Sequence, residues 1–258
     1  EMNVLGILVG AILFGLGLAL TIKEDSPINQ IFSDLAQASY RIAGWVLTTL
    51  PLGLFAISYQ LAGQIDFSTV TALAQLAGVV FAATLFHGLV VLPLIAWWAA
   101  GLSPWKFFAA VSQPLVTALS TSSSAATLPL SMATAESKLG VDRAKCAFVL
   151  PLGATANMDG TALFEGIAAV FLAYMFGIDL STTGIIAIFL VAMLSSVGAP
   201  GIPSGSMAGM QMVMLAVGIP LEAIGLLLLI ERPLDTFRTA VNVEGDLVGC
   251  LVAKRFTQ

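Results

Sequence analysis

The chain alternates between long apolar runs and short polar interruptions. Five runs are long enough to cross a bilayer, which takes about 17–25 residues: Val4–Leu20, Ile31–Leu61, Val70–Ala99, Cys146–Phe176 and Leu221–Ala253. Two further regions depart from that pattern. Ser103–Leu139 carries the polar tip Leu119-Ser-Thr-Ser-Ser-Ser-Ala125 between two modest helical runs. Thr182–Gly218 carries Ser195-Ser-Val-Gly-Ala-Pro-Gly-Ile-Pro-Ser-Gly-Ser206, where Pro and Gly forbid a continuous helix. Each flank of these tips is nearer half a membrane thickness than a whole one. Non-helical backbone at that depth is tolerated only where protein or a water-filled cavity covers it. Both regions are therefore predicted to be re-entrant helical hairpins in an all-α, polytopic membrane protein.

The last run is the most polar of the five. It contains Asp235-Thr-Phe-Arg238-Thr239-Ala-Val-Asn242-Val-Glu-Gly-Asp246. At about 100° per residue, Asp235, Arg238, Thr239, Asn242 and Asp246 fall within roughly 100° of arc, and Glu231 joins the same face one turn earlier. A charge at the centre of a membrane helix costs at least about 2.5–3.5 kcal/mol on insertion scales. Several on one face make sense where that face lines a polar cavity, so the pattern predicts a solute site inside the membrane.

Composition supports a lipid-solvated chain. The hydrophobic fraction is 58% and only 10% of the 258 residues are charged, too few to give a core of this size a water-facing surface. The net charge of −5 argues against nucleic acid as a partner. Cys146 and Cys250 lie far apart in apolar stretches with a single histidine, His87, so neither a disulfide framework nor a zinc site is indicated. His87 reads as a packed or hydrogen-bonded residue. Glu1-Met2-Asn3 leads straight into an apolar run without the basic region or cleavage site of a signal peptide, as if the chain began partway through a longer protein.

Basic residues set the expected topology. Lys23, Arg41, Lys106, Lys138, Arg143, Lys145, Lys254 and Arg255 all fall on what should be one side, and the connections 63–68, 177–183 and 218–222 carry none. The positive-inside rule then places the first hairpin and the C-terminus in the cytoplasm and the second hairpin outside. Two units result. A Ser-rich hairpin precedes a helix broken at Asn157-Met-Asp-Gly-Thr161, and a Gly/Pro-rich hairpin precedes the polar helix. Entering from opposite faces, they follow the inverted-repeat, broken-helix plan of secondary transporters.

The chemistry of these stretches is specific. The break at Gly160 frees carbonyls near Gly153 and Asn157, hard oxygen ligands that suit Na⁺ or H⁺ coupling together with Asp159 and Asp246. The Ser-rich tip offers hydroxyls and N–H groups at helix N-termini, where anions are favoured. Arg238 can grip a carboxylate in a bidentate fork. Asp235 could balance Arg238 as an i,i+3 pair or accept an ammonium group. Together they describe an amino acid with a carboxylate side chain.

At these residues the chain resembles the glutamate transporter family, the dicarboxylate/amino acid:cation symporters. The motifs are Ser122-Ser-Ser-Ala-Ala-Thr-Leu-Pro129, Asn157-Met-Asp-Gly-Thr161, Gly198-Ala-Pro-Gly-Ile-Pro203 and Asp235-x-x-Arg-Thr-x-x-Asn-Val-x-Gly-Asp246, in the family's order and spacing. The resemblance covers essentially the whole chain, beginning within the family's fourth transmembrane segment. It implies a homotrimer in the cell membrane, with 1–63 part of a trimerisation scaffold and 64–258 part of an elevator-type transport domain. The parts of that domain would be a spanning helix, hairpin 103–139, broken helix 142–176, hairpin 181–218 and polar helix 220–256.

Residue by residue, the resemblance implies that Arg238 binds the substrate side-chain carboxylate and Asp235 its amino group. Asn242, Thr239, Thr161, Ser122 and Ser124 complete the shell, closed by backbone at Ile202 and Ser206 in an extracellular gate. One Na⁺ would sit among Gly153, Asn157, Asn242 and Asp246, and a second on backbone of Thr155, Ser196, Val197 and Ala199. Asn157 and Asp159 would supply part of a third. Glu165 matches animal relatives in which a glutamate here is linked to proton coupling, so H⁺ is a second candidate coupling ion. Asp235 favours an amino acid over a plain dicarboxylate, and Arg238 disfavours neutral ones. A dicarboxylate or neutral amino acid symporter is the alternative on the same scaffold. An intramembrane aspartyl protease would leave Arg238 unexplained and lacks its GxGD pattern, and a pure anion channel needs neither the paired Arg/Asp site nor two gates.

Overall fold

The computed structural model describes residues 4–23, 26–49, 66–197, 199 and 201–256, together with 52–53, 55–56 and 59. Most of the stretch 50–65, and Gly198 and Pro200 of the second tip, lie outside the described residues. Every regular element among the described residues is helical. The chain divides into two compact units, Glu1–Asp66 and Phe67–Gln258. The first contains α1 (Val4–Thr21) and α2 (Pro27–Thr48), with Phe14 and Phe32 in edge-to-face contact, ring centroids 6.1 Å apart.

The second unit opens with one helical rod, Phe67–Ala100. It consists of α3 (Phe67–Phe86), a π-helical step at His87–Val91, and α4 (Leu92–Ala100). Two helical hairpins follow, with a broken helix between them. The first hairpin is α5 (Pro104–Thr121) and α6 (Ser124–Ser137). Pro104 starts α5, where a missing N–H costs nothing. Ser122 ends α5 in the left-handed conformation at φ 49°, and the Ser123 hydroxyl caps α6 by accepting from Ala126 N–H at 3.2 Å. The Ser run that reads as a polar tip in the sequence is thus a helix stop followed by a helix start.

The broken helix is α7 (Arg143–Ala156) and α8 (Asp159–Met175). Asn157 and Met158 leave the helical region at ψ 80° and 64°, which opens the chain between them. The second hairpin is α9 (Thr182–Val197) and α10 (Ser206–Val217). The unit ends in α11 (Ile224–Phe256), 33 residues and therefore about 50 Å long. Among the described residues, two helices are long and apolar enough to cross a membrane by length and composition, Phe67–Ala100 and Arg143–Met175. The hairpin arms, at 18, 14, 16 and 12 residues, are about 18–27 Å each, shorter than a hydrocarbon core of about 30 Å.

Two apolar cores hold this unit together. One joins Leu76 and Val80 of α3, Phe164 and Leu172 of α8, Ile188 of α9 and Met210 of α10 to Leu227 and Leu234 of α11. The other joins Leu92 of α4, Phe107 and Val111 of α5 and Leu150 of α7 to Val243, Leu247 and Leu251 of α11. The first half of α11 therefore serves the second hairpin and its second half serves the first. Its polar stretch, 235–242, falls where the two cores meet. Outside them, Trp97, Trp98, Phe148, Phe189 and Met193 are exposed, a surface that suits lipid.

Candidate solute-binding site

The polar line of α11 is fully enclosed. Glu231, Asp235, Arg238, Thr239, Asn242 and Asp246 are all buried, and Arg238 is only 1% exposed. Its Nη2 donates to Glu231 Oε1 at 2.6 Å and to Asp235 Oδ1 at 2.7 Å, and its Cζ stands 4.5 Å from the centroid of the Phe164 ring. Glu231 lies seven residues before Arg238 and Asp235 three, so helical geometry delivers both acids to the same guanidinium. Two charge-assisted bonds and a cation–π contact are what make so deep an arginine tenable. Nη1 is buried with no hydrogen-bond partner among the described residues. Arg232 also approaches Asp235, at 3.6 Å, but it is half exposed and contributes little.

The two hairpin tips and the break in 157–158 converge in front of this line. Gly201 O accepts from Ser123 Oγ at 2.7 Å and from Ala125 N–H at 3.2 Å, which ties tip to tip. Only glycine fits there, because a Cβ would lie 2.9 Å from the Ala154 carbonyl. On the other side of the tip, Ser204 N–H donates to Asp235 Oδ2 at 3.0 Å and Ser204 Oγ to Glu231 Oε2 at 2.9 Å. Between them lies a small pocket, barely large enough for a water. It is lined by Ser122, Ser124, Thr161, Ile202, Ser206, Asp235, Thr239 and Asn242, with Met158, Gly201 and Gly205. Eight of the nine residues expected around a substrate thus share one small pocket. Arg238 does not line it; its Nη2 is engaged by the two acids.

The residues of the first ion set also come together. Asn157 Nδ2 donates to Asp246 Oδ1 at 3.0 Å, and Asn242 Oδ1 accepts from Gly160 N–H at 2.8 Å. Asp246 presses on Gly153 so closely that a Cβ there would lie 2.5 Å from Oδ1. Asp159 Oδ1 accepts from Gly160 N–H at 2.9 Å, and Oδ2 meets His87 Nε2 at 2.8 Å across 72 residues. The second set is less gathered. Thr155 Oγ1 donates back to Leu152 O at 3.0 Å, Ser196 Oγ to Met193 O at 2.9 Å, and Ala199 N–H to Ser196 O at 3.3 Å. Val197 is the last residue of α9. Asn242 Nδ2 reaches Thr161 Oγ1 at 3.2 Å, so one side chain belongs to both the pocket and the first ion set.

Glu165 sits one turn beyond Thr161 but does not line the pocket. It is fully buried, its Oε2 accepts from Ser195 Oγ of α9, and its Oε1 lies against Gly209 of α10 without a hydrogen-bond partner among the described residues. Its contacts lie inside the second hairpin instead. A second enclosed acid, Glu244, stands outside the polar face of α11. It lies about 180° from Asp235 around α11, yet it is buried, with Oε1 unpartnered among the described residues and Oε2 3.2 Å from where a Cβ on Gly88 would be. The available signal was an acid in an apolar helix, not its place on the polar face.

Interrupted helices that meet around buried charges follow the plan of secondary transporters. The chain belongs to the sodium:dicarboxylate symporter family, whose model matches residues 1–256. Among curated relatives, the "Putative sodium-dependent excitatory amino acid transporter glt-4" of Caenorhabditis elegans is 39% identical over 261 residues, covering 100% of this chain and 52% of its own length. Excitatory amino acid transporter 3 of Mus musculus is 37% identical over 257 residues, covering 99% of this chain and 49% of its own. Excitatory amino acid transporter 1 of Mus musculus is 36% identical over 258 residues, covering 99% and 48%. The chain spans about half the length of the curated relatives it matches.

Proposed function

We propose that this chain forms the solute-binding part of a secondary transporter that carries an acidic amino acid, glutamate or aspartate, together with Na⁺. The observation that carries the reading is Arg238: a deeply buried cation with an unpartnered Nη1, set behind a pocket walled by Asp235 and hydroxyl groups. A buried donor without an acceptor is strongly disfavoured, and an anionic ligand is the partner that satisfies it. Asp235 turns to the ligand's ammonium group, and the tips' hydroxyls and N–H groups take its α-carboxylate.

Asp246, Asn242, Asn157 and the Gly153 carbonyl hold one Na⁺, an all-oxygen donor set that suits a hard cation. Thr155, Ser196, Val197 and Ala199 hold a second under the closed tip, and Asn157 with Asp159 part of a third. Glu165 carries a proton. The hairpins are re-entrant, with the C-terminus cytoplasmic, and residues 64–258 move as a transport domain against a homotrimeric scaffold that includes residues 1–63. The sodium named for the family and the excitatory amino acids named for the relatives support substrate and ion alike.

The test is uptake by the intact protein in proteoliposomes, with glutamate, aspartate, succinate and a neutral amino acid under imposed Na⁺, H⁺ and K⁺ gradients. Breaking a buried charge pair costs about 3–5 kcal/mol, so Arg238→Ala should lower acidic amino acid affinity by about two orders of magnitude or more. Unchanged glutamate affinity in Arg238→Ala, or equal binding of succinate and aspartate by the wild type, would overturn the assignment.

A further inference from the structure

Glu231 has no place in the ligand set above, yet both of its carboxylate oxygens are engaged. Its Oε1 binds Arg238 Nη2 at 2.6 Å and also accepts from Ser206 Oγ at 3.3 Å, while its Oε2 accepts from Ser204 Oγ at 2.9 Å. Both serines belong to the closing end of the second hairpin. Ser204 is held there at φ 61°, a left-handed conformation that a residue with a Cβ adopts only under constraint. Asp235 shares Nη2 with Glu231, but it meets the tip only through the Ser204 backbone N–H. Among the described residues, Glu231 alone joins the tip's side chains to the arginine.

We propose that Glu231 is the latch that lets the site close when it is empty. Its carboxylate stands on Arg238 in the place of an acidic ligand's carboxylate, and the same group draws the second tip onto α11 through Ser204 and Ser206. This rests on the proposed function and deepens it. Nη2 has two protons, and both are taken, one by each acid. A ligand that grips both Nη atoms must therefore displace one of them. Asp235 turns to the ligand's ammonium group; Glu231, with no partner on the ligand, yields the arginine and its hold on the tip, and the ligand itself then closes the site.

When the ligand leaves, Arg238 needs a second carboxylate before the tip can seal over it, because a buried charge without its partner is strongly disfavoured. Glu231 returns to it, and the closed empty site can move. A transporter that exchanges one ligand molecule for another never moves its site empty, whereas net uptake requires an empty return in every cycle. The two modes therefore separate the latch from a general structural role.

The experiment measures both modes in proteoliposomes of the intact protein, as net glutamate uptake into empty vesicles and as exchange into glutamate-loaded ones. Glu231→Gln keeps the side chain's size but cannot neutralise Arg238. Loss of a charge-assisted bond from the closed empty state should lower net uptake about tenfold or more, with exchange within about threefold of the wild type. Ser204→Ala, which leaves the buried charges in place, should shift the same ratio in the same direction by a smaller factor, and it decides the question if Glu231→Gln does not reach the membrane. A ratio of net uptake to exchange equal to the wild type's overturns the latch. A wild type that neither exchanges nor accumulates acidic amino acids overturns the proposed function instead.

Discussion

Arg238 and Glu165 show two ways to place an ionisable side chain at the centre of an apolar unit. Arg238 is surrounded by opposite charge and an aromatic face; Glu165 has one hydroxyl donor, Ser195, and one oxygen with no hydrogen-bond partner among the described residues. An acid so enclosed inside a membrane protein is a functional candidate by default. Replacing it by glutamine keeps shape and removes the exchangeable proton. Glu165→Gln should therefore retain ligand binding but lose the pH dependence of uptake and the accompanying H⁺ flux, read in proteoliposomes with an internal pH dye. A variant that keeps both removes Glu165 from the mechanism. The α11 residues were legible in sequence because a 100° step collects 231, 235, 238, 239, 242 and 246 on one face. Glu244 and the His87–Asp159 contact were not. One lies on the opposite face of a helix that is buried on every side over 241–248, and the other joins positions 72 residues apart that share no pattern.

At the scale of elements, the hairpins and a break within 157–161 were readable from their interruptions, among them the Ser run that stops α5 and starts α6 and the Pro/Gly stretch 198–205; the break falls at Asn157-Met158 rather than at Gly160, which already lies in α8. How the tips meet was not readable, since it depends on Gly201 standing where three elements converge. Its would-be Cβ faces backbone atoms, the Ala154 carbonyl at 2.9 Å and Ala125 N at 3.3 Å, which cannot swing aside as a side chain would. Gly201→Ala should hold the second tip off the first. Overpacking of this kind costs about 1–3 kcal/mol, so ligand affinity should fall roughly 5–150-fold while the thermal melt of the detergent-solubilised protein changes little. Unaltered affinity would mean that the tip closes without this contact. The π-helical step at His87–Val91 was equally silent in sequence. It brings Gly88 close to Val241 and Glu244 on the back of α11, where a Cβ would stand 2.9 Å from Val241 Cγ2.

Across the second unit, α11 takes part in both cores. Its first half completes the core of the second hairpin, its second half that of the first, and Asn242 stands in both the pocket and the first ion set. Ion and ligand should therefore bind as linked events. Asp246→Asn should weaken Na⁺ binding and, by thermodynamic reciprocity, weaken ligand binding at fixed Na⁺, by about 5–150-fold for a typical coupling of 1–3 kcal/mol. Titration of ligand affinity against Na⁺ checks this; a wild type whose ligand affinity ignores Na⁺ refutes the coupling. The place of α11 in the chain has a consequence for biogenesis. It follows in sequence every helix it packs against, so neither core can be completed until α11 has been translated. Until then the serines of the first tip, the Asn157–Asp159 break and Glu165 have no polar helix to face. The helix translated last in this unit is thus the one that completes both of its cores.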